Sequence, residues 1–494
     1  KNDDCVIAID AGTTGGRARA VFVDGRAPVA AYEEFAQYFP QPGWVEHDAN
    51  EIWAATVRTL NAVIEQVGRT SVAAIGMTNQ RETVVAWNRS TGEPYGTAIV
   101  WQDRRTSARC AELEAHGALA MVRSTTGLVL DPYFSATKVE WLLRERSIPR
   151  HADLAVGTID SWLLWNLTGG EVFATDATNA SRTMLFDIRA LRWSDELCDM
   201  FGVPVESLPD VRPSSGRFGV TSDRCGVPLG IAVSGIAGDQ QAALFGQACF
   251  TPGAAKNTYG TGSFVLLNVG ASCPPPTPGM LTTIAWQLAD GSVTYALEGA
   301  IFVTGAAIQW LRDGLGIIAA APEVGPLASS VPGTDDVYFV PALAGLGSPW
   351  WDPYARGTIV GITRGTTRAH IARAVVESIS YQVRDVVDAM VTASGTPLAD
   401  LRVDGGASAM DVLLQLQADQ LGVTVRRPRD QETTALGAAY LAGLAEGVWA
   451  STDEISNSWQ LDAEFSPAND RTAADALHAQ WRRALERSRG WVID

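Results

Sequence analysis

Asp10 closes an alternating apolar run (Ile7, Ile9) and is followed by Gly12-Thr13-Thr14-Gly15-Gly16 and Arg17, a grouping that could handle phosphate. A carboxylate beside free backbone N–H groups and two hydroxyls suits a Mg2+-bound polyphosphate. Arg17 would offset charge on a transferring group. The run lacks the Lys of a P-loop. Residues 17–22 alternate with a period of two, so the glycines do not open a helix as a dinucleotide fingerprint requires. The same residues also read as an ordinary hairpin turn with Arg17 as a strand-face charge. A second turn of this kind, Gly260-Thr261-Gly262, lies in KNTYGTGSFVLLNVG (256–270).

Other residues could act on an alcohol. Asp239 follows an apolar strand near 231–233, where burial would raise its pKa and suit it to accept a hydroxyl proton. It reads equally as the cap of the helical stretch 240–244. Arg81-Glu82 is either solvated surface charge or a donor and acceptor pair facing hydroxyls. Trp101, Tyr133 and Phe264 are either core aromatics or the apolar wall of a small polar pocket. Asp404, before Gly405-Gly406, reads as a turn former, and the glycines allow close backbone approach to a ligand.

The elements that must position these groups alternate between strand and helix, which defines an α/β chain. A hairpin over 7–22 leads to a helix near 50–66 and a strand at 72–77. The second half repeats the pattern with its own hairpin, a helix near 299–313 and a strand at 337–340. The helix at 367–393 carries Ile371, Val375, Ile379, Val383, Val387 and Met390 on one face. Thr366 or Thr367 caps its start, and Gly395 with Pro397 ends it. A strand at 401–404, a Gly-Gly turn and a helix to Leu421 follow. The Pro-rich 273–279 reads as a loop inside the second half, and the domain boundary is placed near 246.

Composition excludes several classes. The 494 residues suggest more than one domain, and a hydrophobic content of 46% allows sizeable cores. A net charge of -17 argues against nucleic acid or an anionic membrane as partner. The six Cys and five His are scattered without metal-ligand spacing, a usage that fits a reducing cytoplasm. No apolar run reaches the length of a membrane span, and no signal-peptide pattern follows Lys1.

The D-x-G-T-T-x-x-R pattern from Asp10, the second Gly-Thr-Gly turn and Asp404-Gly405-Gly406 resemble the superfamily of sugar kinases, actins and heat-shock ATPases. YFSATKVEWLLRE (133–145) and GTIVGITRGTTRAHIARAVVE (357–377) are similar to the two signatures of the FGGY carbohydrate kinases. GMTNQRETVVAW (76–87), IVWQDRRT (99–106) and GIAGDQQAALFGQ (235–247) are similar to the acceptor-site segments of the members that phosphorylate glycerol.

The resemblance implies two actin-like (ribonuclease H-like) domains, each with a mixed central sheet, with ATP and substrate in the cleft between them. Residues 1–246 would hold the phosphate loop and most of the acceptor pocket, and residues 247–494 the second turn and the nucleoside site. It implies direct transfer from ATP to glycerol, giving sn-glycerol 3-phosphate, with Asp239 as general base. The alternatives are another polyol or ketose (erythritol, xylulose), or a non-catalytic nucleotide switch. Arg81, Glu82, Trp101, Tyr133, Asp239, Gln240 and Phe264 would line the glycerol pocket. Thr13, Thr14, Gly15, Arg17 and Thr261 would hold phosphates, and Asp10 would organise Mg2+ through water. Gly305, Gln309, Gly406 and Met410 would lie along the nucleoside. A cytoplasmic homodimer or homotetramer is implied. This chain departs from the family in having Gly15 in place of Ser, which removes one phosphate-facing hydroxyl, and Met410 where an Asn often stands near the adenine.

A thioether cannot donate or accept as an amide does, although it can pack on the base. One neutral hydrogen bond is worth about two- to tenfold in affinity. GTP and ITP are therefore expected to serve within about tenfold of ATP, and Met410→Asn to widen the preference. Measurement of kcat/KM for the three donors in both proteins checks this; a large preference for ATP unmoved by the substitution would assign base reading to other residues.

Overall fold

Alternation within the first strand already demands cover on both sides, because Val6 and Ala8 are as buried as Ile7 and Ile9. In the computed structural model, which describes residues 4–493, that strand lies inside a mixed sheet. Its order is Ser215–Val220, Ala232–Gly238, Val72–Asn79, Cys5–Ala11, Gly15–Phe22, Val29–Glu34. The last three form an antiparallel meander, while Cys5–Ala11, Val72–Asn79 and Ala232–Gly238 run parallel. Helix Ala49–Val67, capped by the Asp48 side chain, lays Ile52, Leu60, Val63 and Ile64 on the Ile7/Ile9 face.

The second sheet follows the same plan. Its order is Leu281–Gln287, Val293–Ile301, Ser263–Gly270, Ala254–Tyr259, Asp400–Asp404, Val425–Pro428, Leu461–Phe465. Here the hairpin of Ala254–Tyr259 and Ser263–Gly270 corresponds to the first one, and Asp400–Asp404 is its parallel neighbour. Helix Arg368–Ser394 covers one face with Val375, Ile379, Val383, Val387 and Met390. Thr367 and His370 close a capping box at its start, and Gly395 ends it in the left-handed region. Residues 273–279 form the loop between Ser263–Gly270 and Leu281–Gln287.

One expectation about the second half is met and one corrected. Residues 337–340 contain the expected strand, Tyr338–Val340, which pairs with Thr358–Val360 in a separate two-stranded sheet. The slot parallel to the hairpin is taken by Asp400–Asp404, which arrives after the long helix. The helix expected near 299–313 begins only at Gly305, because 293–301 is a sheet strand whose Leu297 and Ile301 feed the core. Alternation, and not helical spacing, governs that segment.

A four-stranded sheet of Glu46–His47, Ala98–Ile99, Val84–Asn88 and Leu154–Thr158 packs with helices Ser107–Ala115, Leu119–Thr126 and Ala136–Glu145 beside the first sheet. The two halves are joined by helix Thr433–Ala445, which comes from the second half of the sequence but lies on the first sheet. Its alanines and a glycine bring backbones together. A Cβ on Gly76 would stand 2.0 Å from the Ala438 carbonyl oxygen, and one on Gly235 2.5 Å from the Ala442 nitrogen. Among the described residues no helix is long and apolar enough to cross a membrane. Because the Gly76 clash is with backbone, Gly76→Val is expected to destabilise by about 1–3 kcal/mol or more, the usual cost of overpacking. Thermal denaturation should show a lowered midpoint; an unchanged midpoint would mean that the helix can lift off freely.

Candidate active site

Strand Val72–Asn79 delivers the chain into a tight turn at Gln80–Thr83, where Thr83 N–H donates to the Arg81 carbonyl at 2.7 Å. Glu82 sits in this turn with φ of +64°, an unusual conformation for a bulky residue that suggests functional constraint. Both side chains turn inward and are buried. Arg81 makes a bidentate pair with Glu298, Nη1–Oε2 2.6 Å and Nη2–Oε1 2.8 Å, and Nη2 also donates to the Tyr133 hydroxyl at 3.0 Å. Arg182 Nε donates to Glu82 Oε1 at 2.7 Å, and its Nη2 reaches Glu298 at 3.3 Å. Burial alone would push the Glu298 carboxyl up, but Arg182 and Arg81 hold it down at about 2. Burial dominates at Glu82 and leaves its carboxyl above the usual range. The solvated-surface reading of Arg81-Glu82 is therefore excluded.

The aromatic residues frame this cluster. Trp101 meets Tyr133 edge-on at 5.6 Å, and its indole N–H donates to the Thr13 hydroxyl at 3.0 Å. That bond ties the predicted pocket to the first Gly-Thr turn. Lys138 Nζ donates to the Trp101 carbonyl at 3.1 Å and holds its backbone. Phe264 enters from the second sheet. Register places Lys256, Leu266 and Glu298 across from one another, with Thr258, Phe264 and Ala300 in the next row and Asp404 beside Thr258. One face of that sheet thus presents Lys256, Phe264, Glu298 and Asp404.

Asp239 opens helix Asp239–Gly246, where Gly238 occupies the cap position and Asp239 accepts from the Gln240 N–H at 2.8 Å. The cap reading is therefore corrected: Gly238 holds the cap position and no side chain caps this helix start. Its oxygen lies 3.4 Å from Arg81 Nε, and the side chain keeps 34% exposure. Although its tip is open, the surrounding protein wall raises its pKa against the pull of Arg81. Asp10, at the end of Cys5–Ala11, is pushed up to about 7 by burial and by the charge of Asp239, with Arg17 opposing. Among the described residues no group of three or more His, Cys, Asp or Glu could hold a metal on its own.

The remaining predicted residues, Gln309 and Met410 apart, gather around the two turns. Gly12 N–H closes the first turn on Gly15 O at 3.0 Å, and Thr14 is exposed. Gly15 leaves little room for a side chain here, because a Cβ would stand 2.6 Å from the Glu33 backbone oxygen. Arg17 pairs with Glu432 at 2.5 Å across the halves, and Arg19 with Asp430 at 2.6 Å. In the second turn, Thr261 O accepts from Thr304 N–H at 2.8 Å and Gly260 O from Gly305 N–H at 2.9 Å. Gly405, with φ of +87°, packs on the strand end that leads into this turn, since its Cβ would lie 2.4 Å from Tyr259 O, whereas a Cβ on Gly406 would meet open space. Met410 lies over Gly325. Gln309 is exposed at the end of Gly305–Gln309 and makes no described contact with the others. Asp404 accepts from Gln247 at 2.9 Å and Thr433 at 2.6 Å, a bracing role. A surface cavity of about 600 Å3 bordered by Phe173, Trp193 and Leu208 contains none of these residues.

Sequence reasoning missed Arg182, Glu298 and Lys256. The available signal was a lone charge inside an apolar run, as in YALEGAIF for Glu298.

Residues 5–246 match the N-terminal domain, and residues 255–446 the C-terminal domain, of the FGGY family of carbohydrate kinases. The chain belongs to that family. More narrowly, it is 54% identical over 499 aligned residues to a glycerol kinase of Symbiobacterium thermophilum, covering 100% of both chains. It is 53% identical to a glycerol kinase of Trichlorobacter lovleyi, covering 99% of each. A crystal structure of Plasmodium falciparum glycerol kinase with ADP superposes with a TM-score of 0.94 at 34% identity, covering 99% of each chain.

Removal of one member of a buried charge cluster leaves its partners uncompensated, at a cost of about 3–5 kcal/mol. Arg182→Met is expected to lose that stability in denaturant titration. Arg182→Met combined with Glu82→Gln is expected to recover part of it. No recovery in the double variant would show that the pair is not coupled.

Proposed function

We propose that the protein transfers the terminal phosphoryl group of ATP to glycerol, giving sn-glycerol 3-phosphate. Its full-length similarity to glycerol kinases supports the reaction. The observation that carries the site assignment is the convergence of Arg81, Tyr133 and Asp239 on one spot, tied through Trp101 to Thr13.

Phosphoryl transfer asks the protein for alignment, charge neutralisation and a proton acceptor. Asp239 is the acceptor of the hydroxyl proton. Its raised pKa brings its basicity closer to that task. Arg81, Glu82 and Gln240 read the glycerol hydroxyls, and Trp101, Tyr133 and Phe264 pack along the carbons. Thr13, Thr14, Arg17, Thr261 and the backbone at Gly15 hold phosphates; Gly305, Gln309, Gly406 and Met410 border the nucleoside. The segments 1–246 and 247–494 act as the two jaws of this site.

Mg2+ arrives with the nucleotide. Burial and the charge of Asp239 raise the pKa of Asp10, so the spot carries negative potential, which fits a divalent cation. Asp10 would hold it through water, and the ion would neutralise phosphate charge when bound.

Asp239→Asn is expected to cut kcat by about 10²–10⁴, the range for a lost general base, with nucleotide affinity nearly unchanged. Arg81→Ala is expected to impair glycerol use strongly, because buried polar partners are left unpaired. A coupled ADP-release assay with glycerol, erythritol, xylulose and 1-propanol tests the substrate. Preference for xylulose or erythritol, or equal use of propanol, would overturn the assignment.

A further inference from the structure

Lys256 is fully buried on strand Ala254–Tyr259, yet the described residues give it no ion pair at contact distance. Its Nζ donates instead to two neutral acceptors, the Gln240 side-chain oxygen and the Thr258 hydroxyl, the latter at 3.0 Å. Burying an ammonium on neutral partners is costly, and an apolar side chain would fill the same space at less cost. Asp404, Glu298 and Asp239 lie close enough to favour its charge, while burial brings it down to about 8.

An ammonium carries donors only. Whatever faces it must therefore be an acceptor, and the acceptor atom of the Gln240 amide is its oxygen. With that oxygen turned to Lys256, the amide points its NH2 the opposite way. Gln240 stands next to Asp239 on the first turn of helix Asp239–Gly246 and is only partly buried.

We propose that Lys256 is a positioning residue for the acceptor: it grips the Gln240 amide by its oxygen, so that Gln240 turns its NH2 group toward the substrate. This rests on the reading that Gln240 touches glycerol. The pocket then requires a substrate oxygen with a free lone pair at that place, and an analogue lacking the oxygen is penalised. Lys256→Met frees the amide to rotate and blunts that requirement.

The test is a double-mutant cycle on KM for glycerol and on the preference for glycerol over 1,2-propanediol and 1,3-propanediol. Lys256→Met is expected to raise KM about two- to tenfold, the scale of one hydrogen bond, with kcat and ATP affinity little changed. In a Gln240→Leu background the same substitution is expected to add almost nothing. An equal effect of Lys256→Met in both backgrounds would overturn the proposal. A normal KM for Gln240→Leu alone would instead overturn the pocket assignment beneath it. If Lys256→Met does not fold, Gln240→Glu keeps the lysine satisfied while removing the amide donors. It is expected to raise KM as far as Gln240→Leu does, and a normal KM there would equally overturn the proposal.

Discussion

Two buried guanidinium groups, Arg81 and Arg182, meet two buried carboxylates, Glu82 and Glu298, where the halves of the molecule touch. Taking an ion out of water costs several kcal/mol, and its partner repays this only with good geometry and further hydrogen bonds. The bidentate Arg81–Glu298 pair and the Arg182–Glu82 bond supply both. Arg81, Arg182 and Glu82 all come from the first half, which also brings the partly open Asp239 within 3.4 Å of Arg81. Glu298, on strand Val293–Ile301 of the second sheet, supplies the second fully buried carboxylate. The cluster therefore both ties the halves together and places Arg81 beside Asp239.

Much of this architecture was legible in the sequence because it depends on local patterns. The period-two alternation after Arg17, the helical stripe from Val375 to Met390 and the Gly395 stop each act within a few residues. The turn residues at 12–16 and 260–262 carried their signal in composition. What failed was order in space. The strand at 337–340 repeats the element order of the first half, but the position parallel to the hairpin went to Asp400–Asp404 after the long helix. No local pattern reports which of two candidate strands wins a sheet position. Arg182, Glu298 and Lys256 escaped for a related reason. Each is one charge in a stretch that otherwise reads as structure, and its meaning lies in partners separated from it by 100 positions (Glu82 and Arg182), 217 (Arg81 and Glu298) or 16 (Lys256 and Gln240).

The two sides of the cleft are held by forces of different kinds. On the acceptor side the contacts are buried, bidentate and backed by close backbone packing at Gly76 and Gly235. Interiors of this density resist displacement, so the groups around Asp239 keep their spacing. On the phosphate side two ion pairs bridge the halves: Arg19–Asp430, whose Arg19 side chain is buried, and Arg17–Glu432, with side-chain exposures of 32% and 47%. An exposed pair of this sort contributes about 0–1 kcal/mol. On the proposed reading, a polyphosphate would offer Arg17 several charge-assisted contacts in place of this single carboxylate. Rigidity would then reside where small hydroxyls must be told apart, and exchangeable contacts where a large, highly charged ligand must enter and leave. For a transfer reaction that depends on alignment, the fixed side sets the geometry and the exchangeable side supplies the charge.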